Sequence, residues 1–131
     1  MAPRLDVVGL VVQDMAASIA FYRRLGLQFA AGAETEGHVE TGLPGGLRLN
    51  LDTVAIIHSF DPGWSKPSGD HRIALAFACD SPAEVDALYG ALVDAGHEAH
   101  LQPWDAFWGQ RYATVHEPDG NAIELFAPLA A

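Results

Sequence analysis

The chain is poor in basic residues and in cysteine, and it has no long apolar run. Seven lysines and arginines stand against seventeen acids among 131 residues, a formal net charge of −10. Such a surface repels phosphate backbones and anionic lipid, so neither nucleic acid nor a membrane is an expected partner; a neutral or cationic small molecule suits it better. The single cysteine, Cys79, cannot close an internal disulfide, which points to a reducing cytoplasm. It lies in an apolar stretch and reads as a small buried hydrophobe. No run reaches the ~20 apolar residues needed to cross a bilayer, and one basic residue followed by Asp6 is no secretory leader. Also missing are a His-Glu-x-x-His pair, a phosphate-binding glycine loop and a nucleophile elbow.

What is present is a well-punctuated, half-apolar chain with 18% charged residues. That length makes one compact domain, or two very small modules sharing a core. Leu5 to Val12 reads as a strand, and Asp14 as the cap of a helix over about 15–25 that Gly26 ends. Leu27–Ala31, His38–Thr41 and Leu47–Ile57 read as three further strands. Residues 61–70 carry the proline, glycine and serine of a linker. The plan then repeats: a strand over 71–78, a helix start at Asp80-Ser-Pro-Ala-Glu84, a stop at Gly96, and strands near 97–101, 111–116 and 121–127. Glu117-Pro-Asp-Gly-Asn121 forms the last turn, with Asp119 placed to accept from the backbone and Gly120 to supply positive φ. Period-2 alternation then puts Ile123 and Leu125 on one face and Ala122, Glu124 and Phe126 on the other. The expected organisation is a module over 1–60, a linker over 61–70 and a second module over 71–131. Neither module is large enough to bury a good core alone.

Three stretches, Val8-Gly-Leu-Val-Val-Gln-Asp14, Phe21-Tyr22 with Leu25-Gly26, and Pro118-Asp-Gly-Asn-Ala-Ile-Glu124, resemble the vicinal oxygen chelate superfamily. That superfamily includes glyoxalase I, extradiol dioxygenases and bleomycin-resistance proteins. The resemblance implies an α+β fold of two βαβββ modules whose curved mixed sheets form a cup, often completed in a homodimer. Gly69-Asp-His-Arg-Ile-Ala-Leu-Ala-Phe77, Leu92-Val-Asp-Ala-Gly96, Pro103-Trp104, Trp108-Gly-Gln-Arg-Tyr112 and Asp61-Pro62 with Trp64 are similar to the drug-sequestering, mitomycin-binding and bleomycin-binding members.

Enzymes of the superfamily hold a divalent ion with one side chain from each of four strand positions. Counting back from Asp14 gives Val7 for the first, and counting from Gly46 gives Asn50 for the second. Counting back from Asp80 gives Ile73 for the third, and the fourth is Glu124. Hydrocarbon side chains offer no lone pairs, so no cofactor is expected; His71 and Glu124 are the weak candidates should a metal bind. Glu124 either pairs with Arg48, Arg111 or a backbone N–H, or accepts from a ligand. Of the histidines, His38 is the candidate for lining a pocket, while His58, His97 and His100 read as surface or strand-end residues and His116 as structural. Trp64, Trp104 and Trp108 lie in loop or strand-edge stretches, as plugs under loops or as a wall that stacks on flat rings and cations. Arg48, Asn50 and Asp52 alternate with Leu47, Leu49 and Leu51, placing the polar three toward a ligand.

The sequence therefore points to a non-catalytic homodimer that sequesters a small aromatic, antibiotic-like molecule. Trp64, Trp104 and Trp108 would stack on it, Asn50, Asp52 and Glu124 would orient it, and His38 would line the mouth. The alternative is a metal-dependent lyase, isomerase or dioxygenase.

Overall fold

The computed structural model describes residues 2–129. The chain divides into two units, one ending at Ser68 and the other starting at Gly69. The architecture is α+β: two mixed sheets with helices, neither of them a closed barrel among the described residues.

In the first unit, β1 (Val7–Val12) leads into α1 (Met15–Arg24), and β2 (His38–Gly42) and β3 (Arg48–Thr53) follow. The sheet order is β1-β3-β2, with β1 parallel and β2 antiparallel to β3. Asp14 caps α1 by accepting from the Ala17 N–H at 3.1 Å, which satisfies one of the free amides of the first turn. Gly26 follows the helix at φ +92°, a conformation that costs glycine little. Val39, Leu49, Leu51 and Val12 are buried, as are Ile19, Phe21 and Tyr22 of α1. The opposite face carries Val7, Gly9 and Val11 beside Arg48, Asn50 and Asp52, which in turn lie beside Gly42, Glu40 and His38.

Two expected strands of this unit take other forms. Residues 27–31 are irregular, because their carbonyls are met by side chains instead of a neighbouring strand. Thr41 donates to the Gln28 carbonyl at 2.6 Å, and Arg23 donates to Phe29 at 3.4 Å. Among the described residues the first unit thus has three strands, not four. Leu47–Ile57 is also not one strand. β3 stops at Thr53, whose hydroxyl caps α2 (Val54–Phe60) by accepting from the Ile56 N–H. Ile56 then sits so close to Gly37 that a Cβ there would lie 2.5 Å from its side chain, so a larger residue at 37 would require Ile56 to shift.

In the second unit, β4 (Ala74–Ala78), α3 (Pro82–Asp94), β5 (Glu98–Asp105), β6 (Gln110–His116) and β7 (Ala122–Pro128) form a sheet of order β4-β7-β6-β5. Only β4 and β7 run parallel. The helix cap is Ser81, not Asp80: its hydroxyl accepts from the Glu84 N–H, and the Glu84 carboxylate accepts from the Asp80 N–H at 2.8 Å. This reciprocal pair satisfies two amides at once. α3 has 13 residues against 10 in α1. Ala113, Val115, Ile123, Leu125 and Ala127 are buried together with Val85 and Leu92 of α3. Cys79 is buried too, and burial pushes its thiol up, which leaves it a poor nucleophile.

The last hairpin closes as the sequence suggests, with Gly120 at φ +86° and its N–H donating to the Glu117 carbonyl at 2.8 Å. The carboxylate holding the turn, however, is that of Glu117, which accepts from the N–H groups of Asp119 and Asn121 at 2.7 and 2.9 Å. Glu117 is only 2% exposed, and burial pushes its carboxyl above the ordinary value.

Candidate functional site

On the polar face of the first sheet, five charged side chains form a chain of ion pairs. Arg48 donates to Asp6 and to Glu40, both at 2.7 Å. The other Glu40 oxygen lies 3.0 Å from His38 Nε2, and His38 Nδ1 lies 2.5 Å from Asp52. Carboxylates only accept, so both bonds exist together only when both ring nitrogens carry protons. Bonding to Asp52 first, and to Glu40 second, accordingly raises the His38 pKa above its usual value. Glu40 is held below the usual carboxylate range by His38 and then Arg48. Asn50 sits within this row, between Gly9 and Glu40 in register, and its Oδ1 is buried with no hydrogen-bond partner. A buried acceptor without a donor is costly, which marks it as a place for a ligand N–H or O–H. The structure therefore brings His38 and Asp52 into direct contact and leaves Asn50 with an unmet acceptor on the same face.

Trp64 lies in the same unit, after α2. It packs edge-on against His58 at 6.0 Å between ring centres, and its carbonyl lies 2.8 Å from His58 Nε2.

The second unit holds Trp104, Trp108 and Glu124. β5 runs four residues beyond its expected end, so Trp104 is a strand residue paired with Tyr112. Trp108 stands in the turn to β6, edge-on to Trp104 at 5.5 Å, to Phe107 at 4.9 Å and to Tyr112 at 5.2 Å. Its indole N–H donates to Gln110 Oε1 at 2.8 Å, which fixes the ring. Phe107 is 91% exposed and Trp108 48%, so the cluster presents aromatic surface to solvent.

Glu124 pairs in register with Thr114 on β6 and Ala76 on β4. Neither arginine suggested as its partner serves it. Arg48 is engaged in the first unit, and Arg111 binds Asp86 at 2.9 Å and Asp105 at 3.1 Å. Tyr112 lies on the same face, two residues from Thr114. Burial pushes the Tyr112 phenol above its ordinary value; Thr114 opposes that, and the Glu124 carboxylate adds to it.

Register also corrects one of the superfamily's ligand positions. Val7 opens β1 opposite Arg48, and Ala74 opens β4 opposite Ala122, so Asn50 and Glu124 occupy matching places two residues on. The third position is then Ala74. Counting from Asp80 gave Ile73 because the cap is one residue later, at Ser81. Ile73 precedes β4 and is 78% exposed. Val7, Asn50, Ala74 and Glu124 do not fit a divalent ion, since two of the four are hydrocarbon. His71 lies against His100 and His116.

Sequence reasoning passed over Glu40, Tyr112, Phe107 and Glu98. Glu40 was recoverable from alternation with His38. Tyr112 was recoverable by counting outward from the Glu117–Asn121 turn, which pairs Thr114 with Glu124 and Tyr112 with Phe126.

The fold and its paired sheets define a known class. The sequence matches the Glyoxalase/Bleomycin resistance protein/Dioxygenase superfamily over residues 4–125, and the chain belongs to that family. Among solved structures it is similar to a glyoxalase/bleomycin resistance protein/dioxygenase family enzyme from Burkholderia phytofirmans PsJN. The two are 20% identical at TM-score 0.82, covering 97% of this chain and 100% of that one. A glyoxalase/bleomycin resistance protein/dioxygenase from Nocardioides is 28% identical at TM-score 0.74, covering 100% and 87%. A glyoxalase-related enzyme from Fulvimarina pelagi is 24% identical at TM-score 0.80, covering 96% and 88%. No curated protein matches. No described helix is long and apolar enough to cross a membrane.

Proposed function

We propose that this chain binds and sequesters a small, flat aromatic or cationic molecule without transforming it, as the drug-sequestering members of its family do. The observation carrying this reading is the cluster of Trp104, Phe107, Trp108 and Tyr112, whose rings contact one another while Phe107 and Trp108 stay open to solvent. Exposed aromatic faces held in place by neighbours are suited to stacking on electron-poor rings and to attracting cations, and the acidic balance favours the latter. Glu124 and Tyr112 add a polar anchor beside the aromatic surface, and Asn50, Asp52 and His38 supply a second polar surface in the other unit. A metal-dependent reaction at the family's ligand positions would have only Asn50 and Glu124 to rest on. We further propose that the protein acts in the cytoplasm as a homodimer.

The test is tryptophan fluorescence during titration with quinone and glycopeptide antibiotics, which are flat or cationic aromatics. Saturable quenching that is lost in Trp108→Ala and kept in Trp64→Phe assigns binding to the second unit. Folded protein that no compound quenches, but which turns over a substrate when given a divalent ion, defeats the proposal.

A further inference from the structure

We infer that the second unit carries a binding site for a divalent transition metal, built from His71, His100 and His116 with Glu98 behind them, apart from the family's four ligand positions. The ring centres of the three histidines are 4.7, 6.2 and 6.5 Å apart. Three imidazoles sharing one ion through bonds of about 2.0–2.1 Å have ring centres roughly 5 Å apart, so the His100–His116 pair stands at ligating size and His71 lies beyond it. Sequence separation hides it. His71 precedes β4, His100 stands at a bulge in β5 where Ala99 pairs with Val115 but Leu101 with Thr114, and His116 ends β6. The extra residue of a bulge re-aims its side chain, and here His100 lies stacked on His116.

Glu98 makes the cluster more than a surface accident. It accepts from His116 Nδ1 at 2.5 Å. That bond places the proton on Nδ1 and leaves the Nε2 lone pair free, the arrangement by which carboxylates orient metal-binding histidines. His116 and Glu98 also line an open depression of about 240 Å³, with Gly96, Glu117 and Pro118 on its walls, so that side of the pair is open to solvent, while His71 and His100 are not among its lining residues. As the side chains stand, no three such groups among the described residues converge on one point. Convergence needs rotation of the rings, and His71 and His100 are exposed. Three neutral imidazoles favour zinc, nickel or copper over magnesium or calcium.

The experiment is calorimetric titration of chelator-stripped full-length protein with Zn²⁺ alone, repeated with Ni²⁺ and Mg²⁺, with folding followed by circular dichroism. One ion per chain at micromolar affinity is expected for Zn²⁺ and Ni²⁺ and none for Mg²⁺. His100→Ala and His116→Ala should each weaken binding at least tenfold, and Glu98→Gln about 10–100-fold. Glu124→Gln should leave it unchanged, which separates this site from the family's ligand positions. His71→Ala, in an exposed segment, gives the same reading if a strand variant fails to fold. Zn²⁺ binding no tighter than millimolar overturns the inference, as does binding that survives the histidine variants or vanishes with Glu124→Gln. The drug titration above neither depends on this result nor decides it.

Discussion

The two sheets share a plan and differ in what they carry. In each, a first strand runs parallel to a central one, a capped helix follows the first strand, and the core face is aliphatic. On the other face, the first sheet holds charges that satisfy one another from Asp6 through Arg48, Glu40 and His38 to Asp52. The second holds aromatic rings, histidines and the carboxylates Glu98 and Glu124. At matching places stand Asn50 and Glu124, Val7 and Ala74. Strand register is fixed by the buried face, and the open face is then free to diverge.

The largest expected effect tests the shared part. Leu51→Ala and Leu125→Ala, each fully buried in its own unit, should each cost about 2–5 kcal/mol in urea unfolding. Two separate transitions, one shifted by each variant, would show that the units differ in stability as well as in surface.

Glu117 comes next. Glu117→Ala strips two turn amides of their acceptor and should cost about 1–3 kcal/mol. Glu117→Gln keeps an acceptor without the buried charge and should be near neutral. Because burial raises the folded-state pKa of Glu117, its contribution is fully present below the unfolded pKa and is lost as pH rises through the folded one. The Gln variant should flatten that part of the stability profile.

Trp108→Ala should weaken ligand binding about tenfold or more, roughly 1.4 kcal/mol, while leaving the thermal midpoint nearly unchanged, since the ring is half exposed. Equal loss from Asn50→Ala would show that the charged sheet contributes to ligand binding as much as the aromatic one.

The smallest effect belongs to the ion-pair chain. His38 has its pKa raised, so its stabilising contribution holds below the unfolded value and fades as pH climbs through the folded value. Exposure and salt keep it within about 1 kcal/mol. Comparing native and His38→Ala unfolding from pH 5 to pH 9 should show this slope only in the native chain, and less of it in high salt.

Much of this was legible from local chemistry. The caps at Asp14 and Ser81, the stops at Gly26 and Gly96 and the last turn are short-range signals, and so is the split between Ile123 with Leu125 and Glu124. One reading failed where groups from elsewhere decided: residues 27–31 have strand composition, but Thr41 and Arg23 donate to the Gln28 and Phe29 carbonyls. Those competitors cannot be weighed until their partners are in place. The other failure passed over a local signal: residues 54–57 are apolar and mostly β-branched, yet the hydroxyl of Thr53 caps a helix there.

By itself, then, the sequence determined the repeat, the alternation that assigns each strand residue to the core or the open face, and the hydrocarbon side chain at Val7. These follow from residue type and spacing along one segment. Only the tertiary structure decided that Arg48 and Arg111 are taken by other carboxylates and do not serve Glu124, and that His71, His100 and His116 meet. Those outcomes depend on which strands lie side by side and on a one-residue bulge in β5, and contacts between residues so far apart in sequence leave no local periodicity to read.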